Sequence, residues 1–405
     1  MKKYNIPFSP PDITEDEINE VIDTLKSGWI TTGPKTKELE RRLSEFTTTP
    51  KTVCLNSATA ALELVLRVLG IGEGDEVIVP AMTYTASCSV IYHVGAKAVI
   101  VDIQKDGHEM DYEALENAIT EKTKAVIPVD LAGIPCNYDK IFEVVNAKKS
   151  LFKANSEYQE KLGRIAVVAD GAHALGSVYK GVRVGAVADF TTFSFHAVKN
   201  FTTAEGGSVT WKENPNFDDE ELYKEFQIYS LHGQTKDALA KTKAGSWEYD
   251  IVIPGYKCNM TDIMASIGLV QLDRYSKLLE RRVELVEQYN KAFEGTRVVP
   301  LIHYADTYKS SGHLYITHIK GATYEQRGEI ITKMAERGIS CNVHYKPLPL
   351  LTAYSNLGFD IKDYPNAYDY FVNEVTLPLH TRLSDEDVKV IVENFKEIVA
   401  EVVGE

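Results

Sequence analysis

Asp189-Phe-Thr-Thr-Phe-Ser-Phe-His-Ala-Val-Lys199-Asn-Phe-Thr-Thr-Ala-Glu-Gly-Gly207 passes from a β-branched and aromatic run, through a lone lysine, into a double-glycine turn. Phe190 to Phe193 predicts a buried strand, and Ser208 to Trp211 predicts a second one beyond the turn. Lys199 lies between that strand and Gly206-Gly207, where its stem has little room to carry the charge out to water. Desolvation lowers the pKa of an amine, and a neutral lysine attacks carbonyls to form a Schiff base. The simpler alternative is a loop lysine that reaches solvent, and residues elsewhere in the chain decide between the two.

Upstream, apolar runs alternate with amphipathic stretches. Strands are expected at Thr52–Leu55, Glu76–Val79, Ala98–Asp102, Ala125–Pro128 and Ile165–Ala169. Helices are expected at Ala60–Leu69, from Thr85 to Val94, at Tyr112–Ala118 and at Tyr138–Asn146. This βαβα rhythm implies an α/β fold with a largely parallel sheet covered on both faces. Ligands of such sheets sit beyond the carboxyl ends of the strands, where Thr59, Tyr84, Asp170 and Ser194 all fall. Before the first strand, Thr14–Ser27 reads as a helix with a Thr14/Glu17 capping box and an apolar face of Ile18, Val21, Ile22 and Leu25. A turn over Gly28–Pro34 and a helix over Lys35–Phe46 follow.

Downstream, Lys212–Trp247 is charged and irregular around a helix at Glu220–Tyr229. A long helix is expected over Thr261–Phe293, then strands at Val298–Leu301, Leu314–His318 and Ser340–Val343, and a closing helix at Asp385–Val402. The segment Ala147–Gly163 is polar and reads as peripheral. Two domains result: 1–260, a large α/β unit with a helical N-terminal segment, and 261–405, a long linking helix with a smaller α+β unit.

With 405 residues and a formal charge of −14, the chain is poorly suited to nucleic acid or anionic membranes. No apolar run is long enough to span a bilayer. Five cysteines, Cys54, Cys88, Cys136, Cys258 and Cys341, lack paired spacing. They point away from disulfides and from a zinc site, and towards a reducing cytoplasm.

An acid closing an apolar strand, as Asp170 does in Val-Val-Ala-Asp170-Gly-Ala-His173, needs a cation or a capping role. A pyridinium would suit Asp170 and Lys199 together. Chemistry of that kind needs an amine, an acid at the ring nitrogen, phosphate donors and a group against the ring. Lys199, Asp170, Ser194 with the Ala58-Thr59-Ala60 turn, and Tyr84 or His173 match those needs. Taken singly, the turn is also an ordinary β–α turn and Asp170 an ordinary helix cap.

The motifs Asn56-Ser-Ala-Thr-Ala-Ala-Leu62, Gly74-Asp-Glu-Val-Ile-Val-Pro80, Ala169-Asp-Gly-Ala-His-Ala-Leu-Gly176 and Ser194-Phe-His-Ala-Val-Lys199 occur in that order. Thr202-Thr-Ala-Glu-Gly-Gly207, Pro254-Gly-Tyr-Lys-Cys-Asn-Met-Thr-Asp262 and Val343-His-Tyr-Lys-Pro347 continue the series. Together they resemble the DegT/StrS family of sugar-nucleotide aminotransferases along nearly the whole chain. The resemblance implies a pyridoxal 5'-phosphate (PLP/PMP) transferase of fold type I, with a large, mostly parallel sheet domain and a smaller α+β domain. It also implies a homodimer with shared active sites. By motif, Lys199 would join the cofactor and shuttle the proton, and Asp170 would pair with the ring nitrogen. Tyr84 and His173 would flank the ring. Ala58, Thr59, Ala60 and Ser194 would hold the phosphate, and Asn259 would reach the phosphate of the other subunit's cofactor. Thr31, His344 and Tyr345 fall on the substrate side, although His344 alone could equally be a strand histidine satisfied by its neighbours.

Family members with histidine at the lysine position dehydrate sugars; Lys199 favours transamination instead. The Ser27–Pro34 and Pro254–Asp262 runs resemble the branch that aminates UDP-linked 4-keto sugars for surface glycans and lipid A, with L-glutamate as donor. A PLP-binding regulator, or an aminotransferase for a 3-keto sugar or an inosose, is the alternative.

Overall fold

The computed structural model describes residues 4–105, 107–236 and 248–404. Helix α1 (Glu15–Ser27) starts at the expected capping box, with Thr14 as N-cap, and α2 (Pro34–Thr47) follows. The alternating region supplies β1 (Thr52–Leu55), α3 (Ala58–Val68), β2 (Glu76–Pro80), α4 (Thr85–His93), β3 (Lys97–Val101) and α5 (Tyr112–Ala118). It continues with β4 (Thr123–Val126), α6 (Tyr138–Ala147), α7 (Glu157–Leu162), β5 (Ala166–Asp170), β6 (Phe190–Ser194) and β7 (Gly207–Trp211). These seven strands form one sheet in the order β1-β7-β6-β5-β4-β2-β3. The β3-β2-β4-β5-β6 run is parallel throughout, and β7 is antiparallel to both β6 and β1. The strands are buried on both faces, as near-continuous Val, Ile and Ala runs require.

After α8 (Asp219–Ser230), the chain enters α9 (Asp262–Phe293), capped by Thr261. Antiparallel strands β8 (Val298–Pro300), β9 (Tyr315–Ile319) and β10 (Glu374–Leu377) make a second sheet with β9 in the middle. Helices α10 (Tyr324–Glu336) and α11 (Asp385–Val403) pack with it around a separate apolar cluster that includes Tyr289, Phe293, Tyr315 and Phe395.

Several expectations are corrected. Ser340–Val343 is not a strand: Asn342 makes one isolated bridge to Thr376, and the third strand is Glu374–Leu377. Helix α10 was not anticipated, because its apolar positions are interrupted by a buried Arg327. The Ala147–Gly163 segment is less peripheral than its polarity suggests. Ser156 Oγ and Gln159 Nε2 both donate to the Leu69 carbonyl, and Asn155 donates to Asp75, so the segment closes the end of α3. The charged Lys212–Trp247 stretch includes residues 237–247, which lie outside the described residues.

The largest departure concerns α1. Its apolar stripe faces outward, with Ile18, Ile22 and Leu25 each more than 40 % exposed, whereas Glu17 is buried. Glu17 is held inside by its own bonds: Thr14 donates to it, as do Gln271 Nε2 at 2.6 Å and Arg274 Nε at 2.8 Å on α9. A buried carboxylate this well paired fixes which side of α1 meets the fold. Among the described residues no helix is long and apolar enough to cross a membrane, and all five cysteines are free.

Candidate active site

A cavity of about 440 Å³ opens where the carboxyl ends of β2, β5 and β6 meet the start of α3. Ala58, Thr59, Tyr84, Asp170, His173, Ser194, Lys199, His344 and Tyr345 all line it. Residues separated by more than 280 positions therefore converge at one site. Ala60, Thr31 and Asn259 do not line it. The Ala60 N–H is spent on the helix cap, donating to Ser57 Oγ at 3.1 Å, which corrects its expected part in binding phosphate. Thr31 accepts from the Asp262 N–H through its carbonyl, and Asn259 bonds Thr32.

Asp170 ends β5 and is 5 % exposed. Ser87 Oγ donates to its Oδ2 at 2.6 Å, and the Ala172 N–H donates to Oδ1 at 3.1 Å. Of the two alternatives read from the sequence the capping role is present at one oxygen, while the other accepts from Ser87 on α4. No ion pair forms at Asp170 among the described residues, so a buried carboxylate stands with neutral donors alone. That arrangement suits a cationic ligand atom.

Lys199 follows a turn in which its N–H donates to the His196 carbonyl at 2.9 Å. Burial pushes its ammonium pKa down to about 8, with Asp170 acting in the opposite direction. Roughly a fifth of the amine is then neutral at pH 7.4, against about one part in a thousand for an ordinary lysine. The rate at which the apoprotein captures an aldehyde is expected to rise about tenfold per pH unit below about 8 and to level off above it. Asp170→Asn removes the charge that favours the ammonium, so the midpoint should move to lower pH. Stopped-flow absorbance across a pH series reads both, and a flat profile from pH 6 to 9 would contradict them.

The imidazoles around this amine are neutral. His173 accepts from the Ala132 N–H at Nδ1, at 3.2 Å, which leaves its proton on Nε2 facing the Tyr345 hydroxyl at 3.2 Å. Burial first, and then the nearby Lys199 charge, hold both His173 and His344 well below the usual histidine range. The Tyr84 ring lies 5.9 Å from that of Tyr345 and is well exposed.

The start of α3 has the form of an anion site. Ala58 and Thr59 open the helix and line the cavity, and Ser194 lines it from the end of β6. Gly207 makes the approach possible, because a Cβ there would stand 2.3 Å from the Ala58 nitrogen. An amine of lowered pKa, a buried unpaired carboxylate and a helix start under a glycine form a donor set that fits PLP.

Sequence reasoning missed Ser87, Phe8 and the Asn200–His313 pair. His313 Nδ1 lies 2.8 Å from Asn200 Oδ1, and its ring is 4.4 Å from that of His173. Asn200 directly follows Lys199 and carried a signal by adjacency. His313 carried none, because its Ser-Ser-Gly-His context reads as a turn.

The doubly covered sheet, with a lysine and an acid at the ends of β6 and β5, defines the class of PLP enzymes of fold type I. Comparison with known proteins gives the family. Residues 11–396 match the DegT/DnrJ/EryC1/StrS aminotransferase family, to which this chain belongs. It is 37 % identical over 407 residues to the spore coat polysaccharide biosynthesis protein SpsC of Bacillus subtilis, covering 98 % of each. Spr1654 of Streptococcus pneumoniae, assigned as a sugar aminotransferase, has a PMP-form structure that is 69 % identical with a TM-score of 0.96, covering 98 % of this chain and 100 % of that one. A PLP form of it matches with the same TM-score. Helicobacter pylori PseC, an aminotransferase of pseudoaminic acid biosynthesis, is 28 % identical with a TM-score of 0.86, over 98 % of this chain and 100 % of that one. The chain is a PLP-dependent aminotransferase.

Proposed function

We propose that this enzyme moves an amino group from L-glutamate to the 4-keto carbon of a nucleotide-linked sugar, with UDP as the carrier, in the synthesis of a surface polysaccharide. The observation that carries the reading is the meeting of Lys199, Asp170 and the α3 start in one cavity. The sugar acceptor is supported by the roles of SpsC in spore coat polysaccharide synthesis, of Spr1654 as a sugar aminotransferase and of PseC in pseudoaminic acid synthesis.

PLP supplies an aldehyde that takes up the amino nitrogen and a ring that accepts the electron pair left when a proton is removed. The residues do the rest. Asp170 holds a proton at the ring nitrogen, which keeps the ring electron-poor. The Lys199 amine would carry a proton away from the donor α-carbon and later return one to the acceptor carbon. Its lowered pKa suits it to both directions near neutral pH. Ala58, Thr59 and Ser194 would hold the phosphate, and His173 and Tyr84 would flank the ring. An intact Lys199 and Asp170 favour chemistry over a purely regulatory role.

The active unit is a homodimer. The outward face of α1, with Ile13, Val21 and Ile267 beside it, forms an apolar groove suited to a second copy of the same chain. Asn259, outside its own cavity and bonded to Thr32 and Lys257, would exchange one of those bonds to serve the partner's site. Ile18→Asp with Ile22→Asp is expected to give a monomer by light scattering with turnover lost; an intact dimer would refute this face.

The acceptor is tested by offering UDP- and dTDP-linked 4-keto sugars, a 3-keto sugar and an inosose with glutamate, and identifying the product by NMR. A 4-amino UDP-sugar is expected. Amination of only the 3-keto sugar or the inosose would overturn the acceptor assignment.

A further inference from the structure

Behind His344, a carboxylate and a hydroxyl run into the second sheet. His344 Nδ1 lies 2.8 Å from Thr376 Oγ1, and Thr376 Oγ1 donates to Glu374 Oε1 at 2.6 Å. The His344 N–H donates to the other oxygen, Oε2, at 2.9 Å. Glu374 and Thr376 are alternate residues of β10, and both are completely buried. Phe8 stacks on the imidazole, with ring centres 5.6 Å apart and planes 17° from parallel. The ring is thus fixed from behind and from one face. Nε2 has no protein partner among the described residues, and His344 lines the Lys199 cavity.

The geometry decides the tautomer. Thr376 has one hydroxyl proton, and an ionised Glu374 takes it. Oγ1 can then only accept from His344, so the imidazole proton sits on Nδ1 and Nε2 keeps its lone pair. We propose that Glu374, Thr376 and His344 form a proton relay that opens into the cavity at His344 Nε2 and presents it to a hydroxyl of the acceptor. His344 binds the substrate, while Glu374 and Thr376 are positioning residues acting through it; this rests on the acceptor reading above.

The relay balances without a charged imidazole. A proton taken at Nε2 from solvent, with the acceptor hydroxyl keeping its own and only donating a hydrogen bond, is matched by loss of the Nδ1 proton to Thr376 Oγ1, whose own proton passes to Glu374 Oε1. His344 stays neutral with its tautomer reversed, and Glu374 becomes a carboxylic acid. Burial and the Lys199 charge oppose an imidazolium, holding the His344 pKa at about 3. Burial raises Glu374 to about 7, against the Thr376 and His344 bonds and the Arg327 charge. Cys341, Tyr345, Tyr370 and His318, the last directly opposite Glu374 on β9, are the other titratable groups beside it, and all four are themselves pushed towards their neutral forms. His173 and His313 share the His344 side and are neutral too. Glu374 is therefore where the proton rests.

The test is nitrogen-15 NMR of the histidine rings in the full-length protein, with His344→Gln used to identify the signals. In wild type above pH 8, His344 should show a single Nδ1–H tautomer. As pH falls through about 7, it should change to Nε2–H without passing through imidazolium. Glu374→Gln should lock the reversed tautomer at all pH values, because the His344 N–H needs the amide oxygen and the NH2 then faces Thr376. Thr376→Val should abolish the preference and lower kcat/KM for the acceptor roughly tenfold, with Thr376→Ser restoring both. An Nε2–H tautomer in wild type above pH 8, or an unchanged tautomer in Thr376→Val, would overturn the relay. If either variant fails to fold, the wild-type titration decides alone. No readout but kcat/KM depends on turnover, so the fate of Lys199 chemistry is judged separately.

Discussion

Lys199→Ala protein is expected to show no measurable amination, a loss on the order of 10⁴-fold or more, while the fold and binding of the phosphate-bearing cofactor persist. The reasoning is local. In the proposed mechanism one side chain supplies both the amine that holds the cofactor aldehyde and the base that moves the proton, and among the described residues no other lysine lines the cavity. The proposed phosphate donors sit on α3 and β6, beside Gly207 and independent of that amine. Retained binding of PMP with lost turnover is the expected signature. Residual turnover above a hundredth of wild type in a sequence-verified preparation would remove Lys199 from its role.

Asp170→Asn should cost on the order of 10³-fold in turnover. The substitution is nearly isosteric and leaves an oxygen to accept from Ser87 or Ala172, so the protein should fold with unchanged thermal stability to within a few degrees. What disappears is the negative charge that keeps a proton on a ring nitrogen. Asp170→Glu retains the charge but carries it one methylene away from the Ser87 and Ala172 donors, and should recover only part of the loss. Spectra of the bound cofactor against pH would report the ring-nitrogen protonation directly, and wild-type turnover in Asp170→Asn would show that the carboxylate is only a cap for Ala172.

Much of the site was legible because its residues sit where apolar strands stop. Phe190–Ser194 and Ala166–Asp170 announce themselves by composition, and the small residues at Ser57-Ala58-Thr59 announce a close approach. What stayed hidden depended on distance or on assembly. Periodicity shows that α1 has an apolar stripe but not which body covers it, and the buried Glu17 turned that stripe outward. Ser87 acts on Asp170 from 83 positions away, and Thr376 meets His344 across 32. No local pattern encodes such meetings. Ala60 was misread because adjacent N–H groups at a helix start look alike until the cap claims one of them. Ser340–Val343 has the composition of a strand, yet its pairing stops at one isolated bridge from Asn342 to Thr376 and one bond from the Ser340 N–H to the Ile6 carbonyl.

The most direct measurement is peptide mapping of the PLP-loaded enzyme after borohydride reduction, which fixes the cofactor to whichever lysine holds it. A single phosphopyridoxyl group on the peptide containing Lys199 is the expected result. The label on any other lysine, or none at stoichiometric loading, would contradict the account at its centre.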